Sequence, residues 1–205
     1  MTQRSIILSN NYQNKIARLE RTRRRIESLY SNGALIQRET EQVYEALFIS
    51  SITAFEALLE DLFFGLMMRR LTSGTAKVRC KIDVSSEVVG RDIILAGKSY
   101  LEWLPYNNTE DRASRYFASG LPFSKLGDGH KSMLQQCIFI RNAIAHKSSY
   151  AINTYKNKVL GTMALLPRER APASFLRSQF RASPYQCRYE NYIAQLVQIS
   201  WIICK

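Results

Sequence analysis

Residues Arg38–Arg70, RETEQVYEALFISSITAFEALLEDLFFGLMMRR, contain no proline and a single late glycine, Gly65, so nothing in them breaks a long helix. Val43, Leu47, Ala54, Leu58, Leu62 and Leu66 lie among apolar residues that occupy most of the helical circumference. A helix of that kind packs on several sides, and this one is expected to be the backbone of the core. Glu56 and Glu60 stand out in it. Four residues apart, they share one face, and a carboxylate on a largely buried helix requires a cationic or hydrogen-bonding partner. An arginine on another helix is the expected one.

Outward from this segment the helical pattern recurs. Upstream, Asn10–Tyr30 places Ile16, Leu19, Ile26 and Leu29 on an apolar stripe, and Ser31-Asn32-Gly33 supplies the turn that ends it. Arg18, Arg21, Arg23, Arg24 and Arg25 are assigned to the opposite face, which reads most simply as solvated and alternatively as a phosphate-contacting surface. Downstream, Lys77–Val84 alternates with the period of a short strand. Helices are expected at Glu87–Leu104, stopped by Pro105, and at Thr109–Phe117, capped by Asn108. A further helix begins at Asp128 or Ser132 and runs through Met133, Leu134, Ile138, Ile140 and Ile144 to about Ser149. After a short helical stretch, Leu166–Pro184 is rich in Arg, Pro and Ser and reads as irregular, before an amphipathic helix at Arg188–Cys204. With no internal repeat and no linker, residues 1–205 are expected to form a single, mainly helical domain.

Composition narrows the partners. The 29 Lys and Arg against 17 Asp and Glu give a formal net charge of +12, which attracts polyanions, although a basic surface also serves solubility. Cys80, Cys137, Cys187 and Cys204 form no C-x-x-C pair, so neither a zinc knuckle nor a disulfide framework is expected, and a reducing, cytoplasmic compartment fits. His130 and His146 are the two histidines, and no metal or other cofactor is expected. Met1–Asn10 is too short and polar for a signal peptide, and Ala46–Met68 is interrupted by Glu56, Glu60 and Asp61, so no membrane span is expected.

The chemistry-bearing segment is Arg141-Asn142-Ala143-Ile144-Ala145-His146. At about 100° per residue, Asn142 and His146 lie one turn apart on one face, whereas Arg141 lies about 140° from His146. Arg141 shares its face with Leu134, Cys137, Ile138, Ile144 and Ala145, so its charge must meet a carboxylate such as Glu56 or Glu60, a phosphate, or water in a pocket or subunit seam. Metal-free RNA cleavage needs a base for the 2′-hydroxyl proton, a cation for the phosphorane oxygens and a group that orients them. His146, Arg141 and Asn142 supply these in that order, with Lys147 as a contact to the RNA. The plainer use of such a pair is an ion pair and a capped helix end.

The string Arg141-Asn142-x-x-Ala145-His146, late in a helix of a basic helical domain, resembles the R-x4-6-H motif of the HEPN superfamily. The similarity extends to Phe55–Leu62, Tyr100–Pro105 and Arg188-Tyr189-Glu190-x-Tyr192, features of stand-alone bacterial HEPN proteins grouped near the RiboL-PSP proteins. The resemblance implies an all-α, antiparallel helical bundle that dimerises and brings two motifs into one cleft. Leu166–Pro184 has no place in that basic bundle. The resemblance also implies a metal-independent endoribonuclease of a toxin–antitoxin or anti-phage system, leaving 2′,3′-cyclic phosphate and 5′-hydroxyl ends. Its partners would be RNA, a second copy of the chain and an antitoxin or other defence protein. The alternative is a non-catalytic HEPN interaction module that docks nucleic acid or an antitoxin. A DNA-binding regulator is disfavoured by the lack of a helix-turn-helix with a polar recognition helix.

Overall fold

The computed structural model describes residues 3–74, 77–84 and 86–205. Among these the chain is mostly helical, as the all-α, helical-bundle expectation requires. The helices are α1 (Ile6–Ser31), α2 (Gln37–Met67), α3 (Glu87–Leu95), α4 (Tyr106–Tyr116), α5 (Asp128–His146), α6 (Ser149–Tyr155), α7 (Pro172–Arg177) and α8 (Arg188–Cys204). Short strands add a parallel pair, β1 (Gln3–Arg4) with β2 (Leu71–Thr72), and an antiparallel pair, β3 (Gln179–Arg181) with β4 (Gln186–Cys187). No helix among the described residues is long and apolar enough to cross a membrane.

Helix boundaries follow local chemistry. Gly33, in the left-handed region at φ 73°, turns the chain after α1, where the amide of Ala34 donates to the Leu29 carbonyl at 2.9 Å. At the start of α2 the carboxylate of Glu39 accepts from the Ile36 amide at 2.9 Å. Side chains on most of the circumference of α2 are buried, among them Tyr44, Phe48, Ile52, Phe55, Leu59 and Phe63. Gly65 sits where a Cβ would collide with the Leu71 side chain, so its lack of one lets the chain fold back closely into β2.

The fold divides into two compact units, and α1, α2, α5 and α8 each contribute residues to both. The first comprises Met1–Gln13, Ala54–Leu134 and Val197–Lys205. Its core centres on Phe63, whose ring packs against Phe117 at 5.0 Å, Trp103 at 5.3 Å and Phe123 at 5.7 Å between centroids. The second comprises Asn14–Thr53 and Gln135–Leu196. There Tyr189 packs edge-on against Tyr44 at 5.5 Å, and Phe175 lies between Tyr155 and Tyr192 at 6.0 and 6.5 Å.

Several expectations need correction. Lys77–Val84 is not a strand: it makes one isolated bridge, Cys80 to Phe117, flanked by two hydrogen bonds, before bending at Lys81 and Ile82. The helix expected at Glu87–Leu104 stops at Leu95, because Ala96 and Gly97 both take left-handed conformations at φ 48° and 83°. Asn108 is not a cap but lies within α4, which starts one residue after Pro105. Leu166–Pro184 is not wholly irregular, since it contains a 3-10 turn at Pro167–Glu169, α7 and β3.

Candidate active site

Helix α5 carries the candidate motif, and its buried stripe explains how the motif is presented. Met133, Leu134, Cys137, Ile138, Ile140, Ala143 and Ile144 are all buried, which fixes the rotation of the helix about its axis. Arg141 and Asn142 are then half-buried, and Ala145 and His146 are exposed. Asn142 and His146 remain one helical turn apart on a single continuous helix.

The helix ends sharply at this point and does not continue to Ser149. Lys147 occupies the left-handed region at φ 49°, and the Ser148 hydroxyl accepts from the Ala151 amide at 3.2 Å to cap α6. His146 is therefore the last residue of α5, beside carbonyls that have no partner further along the helix. Cations are favoured there by the helix dipole. Lys147 is exposed, with its Nζ 3.8 Å from the Glu45 carboxylate, a contact long enough to leave the ammonium available to another anion.

Arg141, Asn142, His146 and Lys147 fall in the second unit, whereas Glu56 and Glu60 fall in the first. Both carboxylates are half-buried. Glu60 accepts from Arg91 Nη1 at 2.8 Å and from Trp103 Nε1 at 3.0 Å, so its partners lie within its own unit. Burial and the neighbouring Glu60 charge push the adjacent Asp61 carboxyl above its ordinary value, against the pull of Arg91. Among the described residues no group of three His, Cys, Asp or Glu side chains could hold a metal ion, and the four cysteines are free.

An ionic network in the second unit escaped the sequence reading. Arg23, assigned above to the solvated face of α1, is buried at 8% exposure. Its guanidinium is held by Glu20 at 2.6 Å, by Glu190 of α8, and by the Tyr44 hydroxyl at 3.1 Å. The same hydroxyl donates to Glu27 at 2.8 Å, and Glu27 in turn receives Arg177 of α7. Burial works against the Arg23 charge, but hydrogen bonds to Glu20 and Tyr44 outweigh it and keep its pKa above the ordinary value. The signal was present: Arg23 stands seven residues after Ile16, two turns along the apolar stripe. The network borders an opening of about 630 Å³ that also exposes Tyr30, Arg168 and Tyr185. Its two arginines and three carboxylates are joined through hydrogen bonds and the Tyr44 hydroxyl, so it fastens α1, α2, α7 and α8 together.

No family model, curated protein or solved structure matches the chain.

Proposed function

We propose that this chain is a metal-independent endoribonuclease of the HEPN type, working as a twofold dimer in the cytoplasm as a toxin or anti-phage effector. The observation that carries the reading is the end of α5, where Asn142 and the exposed His146 share one face beside an available Lys147. The charge of +12 supports a polyanionic substrate.

In this mechanism a ring nitrogen of His146 takes the proton of an RNA 2′-hydroxyl. The freed oxygen attacks the adjacent phosphorus, forming the O2′–P bond as the P–O5′ bond breaks. The departing 5′-oxygen takes up a proton from solvent or a protonated imidazole. Arg141 stabilises charge on the non-bridging oxygens, Asn142 orients the imidazole or the phosphate, and Lys147 holds the neighbouring backbone. Products end in 2′,3′-cyclic phosphate and 5′-hydroxyl.

The test is purified protein with RNA in excess EDTA, followed by analysis of the ends. Cleavage should persist, and His146→Ala or Arg141→Ala should each lower it by about 10²–10⁴-fold. A strict divalent-ion requirement or 5′-phosphate products would sink the mechanism. The second reading, a non-catalytic module, draws on the place of His146 in the last turn of α5, where an imidazolium stabilises a helix without any chemistry. RNA binding without cleavage under all these conditions would favour it.

A further inference from the structure

Helix α1 sorts its charges by sign. Its two carboxylates in the second unit, Glu20 and Glu27, are half-buried and committed to Arg23, Arg24 and Arg177. From Asn14 to Ser31 no exposed position of α1 is acidic. Asn14, Arg18, Arg21 and Arg25 are all exposed and follow at intervals of four, three and four residues, within an arc of about 60°. Arg18, Arg21 and Arg25 form no ion pair among the described residues. A surface shaped only for solubility mixes signs and gains from pairs four residues apart, whereas this one is a single-sign stripe about 16 Å long.

We propose that the outer face of α1 is a sequence-independent docking surface for the RNA backbone. Arg18, Arg21 and Arg25 contact successive phosphates, and Asn14 hydrogen-bonds a sugar hydroxyl. The proposal takes RNA as substrate from the reading above. It adds that RNA is held by a surface separate from the α5 motif, through contacts that position the strand without reading its sequence. Forked guanidiniums suit phosphate oxygens, and each neutralised phosphate releases counterions, so the surface has a measurable signature in salt.

The experiment measures binding of a labelled, mixed-sequence single-stranded RNA by fluorescence anisotropy across a salt series, in a His146→Ala background. Cleavage by the His146-intact proteins is followed in parallel. In Arg18→Gln/Arg21→Gln/Arg25→Gln, the slope of log affinity against log salt should shrink by about 2, at about 0.7 per phosphate, with affinity falling on the order of 10²-fold at 0.1 M salt. The exposed triple Arg168→Gln/Arg170→Gln/Arg181→Gln removes the same charge elsewhere and should leave the slope unchanged. Circular dichroism confirms that each variant is folded.

An unchanged slope in the α1 variant, an equal loss in the control, or no RNA binding by the parent protein overturns the proposal. So does poly-L-glutamate, if it binds more tightly than RNA of equal charge and loses that advantage in the α1 variant, because the surface then belongs to an acidic protein. A slope change without any cleavage leaves this surface standing and removes the nuclease reading, whereas cleavage with an unchanged slope does the reverse.

Discussion

Arg177 on α7 closes a two-pronged hydrogen bond on Glu27 of α1, Nε to Oε1 at 2.8 Å and Nη2 to Oε2 at 3.0 Å. The guanidinium also lies 3.9 Å from the centroid of the Tyr30 ring. The pair ties the segment that the sequence reading left irregular to the first helix of the chain.

That relationship has a pH signature. Burial alone would raise the Glu27 carboxyl, but hydrogen bonds from Arg177 and Tyr44 and the charges of Arg177 and Arg23 bring it below its ordinary 4.5. A carboxyl depressed in the folded state contributes stability that is present above the unfolded value and lost as pH falls through the folded one. Glu27→Gln should therefore be less stable than wild type at pH 7, by about 2–3 kcal/mol. The gap should close as pH falls below 4.5. Denaturation curves over a descending pH series check this, and a gap independent of pH would dismiss Glu27 as the titrating group.

Two buried tyrosines should respond oppositely to loss of the hydroxyl. Tyr44 accepts from Arg23 and donates to Glu27, so Tyr44→Phe should cost about 2 kcal/mol. The Tyr155 hydroxyl is buried without a partner among the described residues, so Tyr155→Phe should be neutral or stabilising by up to about 1 kcal/mol. Urea midpoints at constant m-value provide the comparison. A clear destabilisation by Tyr155→Phe would mean that the hydroxyl has a partner in solution.

Lys147 carries a Cβ into the left-handed region, which costs about 1 kcal/mol and which glycine avoids. Lys147→Gly should raise stability by up to about 1 kcal/mol, less the extra freedom glycine gives the unfolded chain, whereas Lys147→Ala should not. Both should weaken RNA binding alike if the ammonium contacts phosphate. The outcome against this account is a glycine variant no more stable than the alanine one.

Arg141 and His146 point about 140° apart on one helix, so two chains facing across a twofold axis supply a cleft more readily than one. If the arginine of one chain serves the histidine of the other, Arg141→Ala and His146→Ala proteins should regain cleavage when co-refolded. One intact site per heterodimer then exists. Verified heterodimers that stay inactive would rule out pairing in trans.

What the sequence revealed divides along physical lines. Helices α2 and α8 were legible because long apolar periodicity survives any tertiary context, and α8 has the expected limits, Arg188–Cys204. The α5 motif was legible as a pair on one face, but the helix end was not. It depends on a left-handed lysine, and nothing in the letters of Lys147 announces φ 49°. Gly97 was a readable stop for α3 that the apolar run beyond it obscured. Helix α7 escaped because only six residues long it has little periodicity of its own, and Arg177 gains meaning from Glu27, far away in sequence. Arg23 was misassigned for a related reason: five arginines close together suggest a common solvated face, although one of them falls on the apolar stripe.

The first unit is fastened by groups far apart in the sequence. Ser5 donates to the Cys204 carbonyl, the buried Ser9 and Ser200 hydroxyls meet at 3.0 Å, and Ser73 donates to the Lys205 carbonyl at 3.2 Å. The Ser5 contact spans 199 positions, and buried hydroxyls are expensive to leave unpaired. During synthesis these groups cannot meet until α8 has left the ribosome, so the segment around Ser5 and Ser9 waits on α8. A nascent chain stopped before α8 would expose this unmet polar seam and the apolar surface beside it, so the first unit can close only once α8 has emerged.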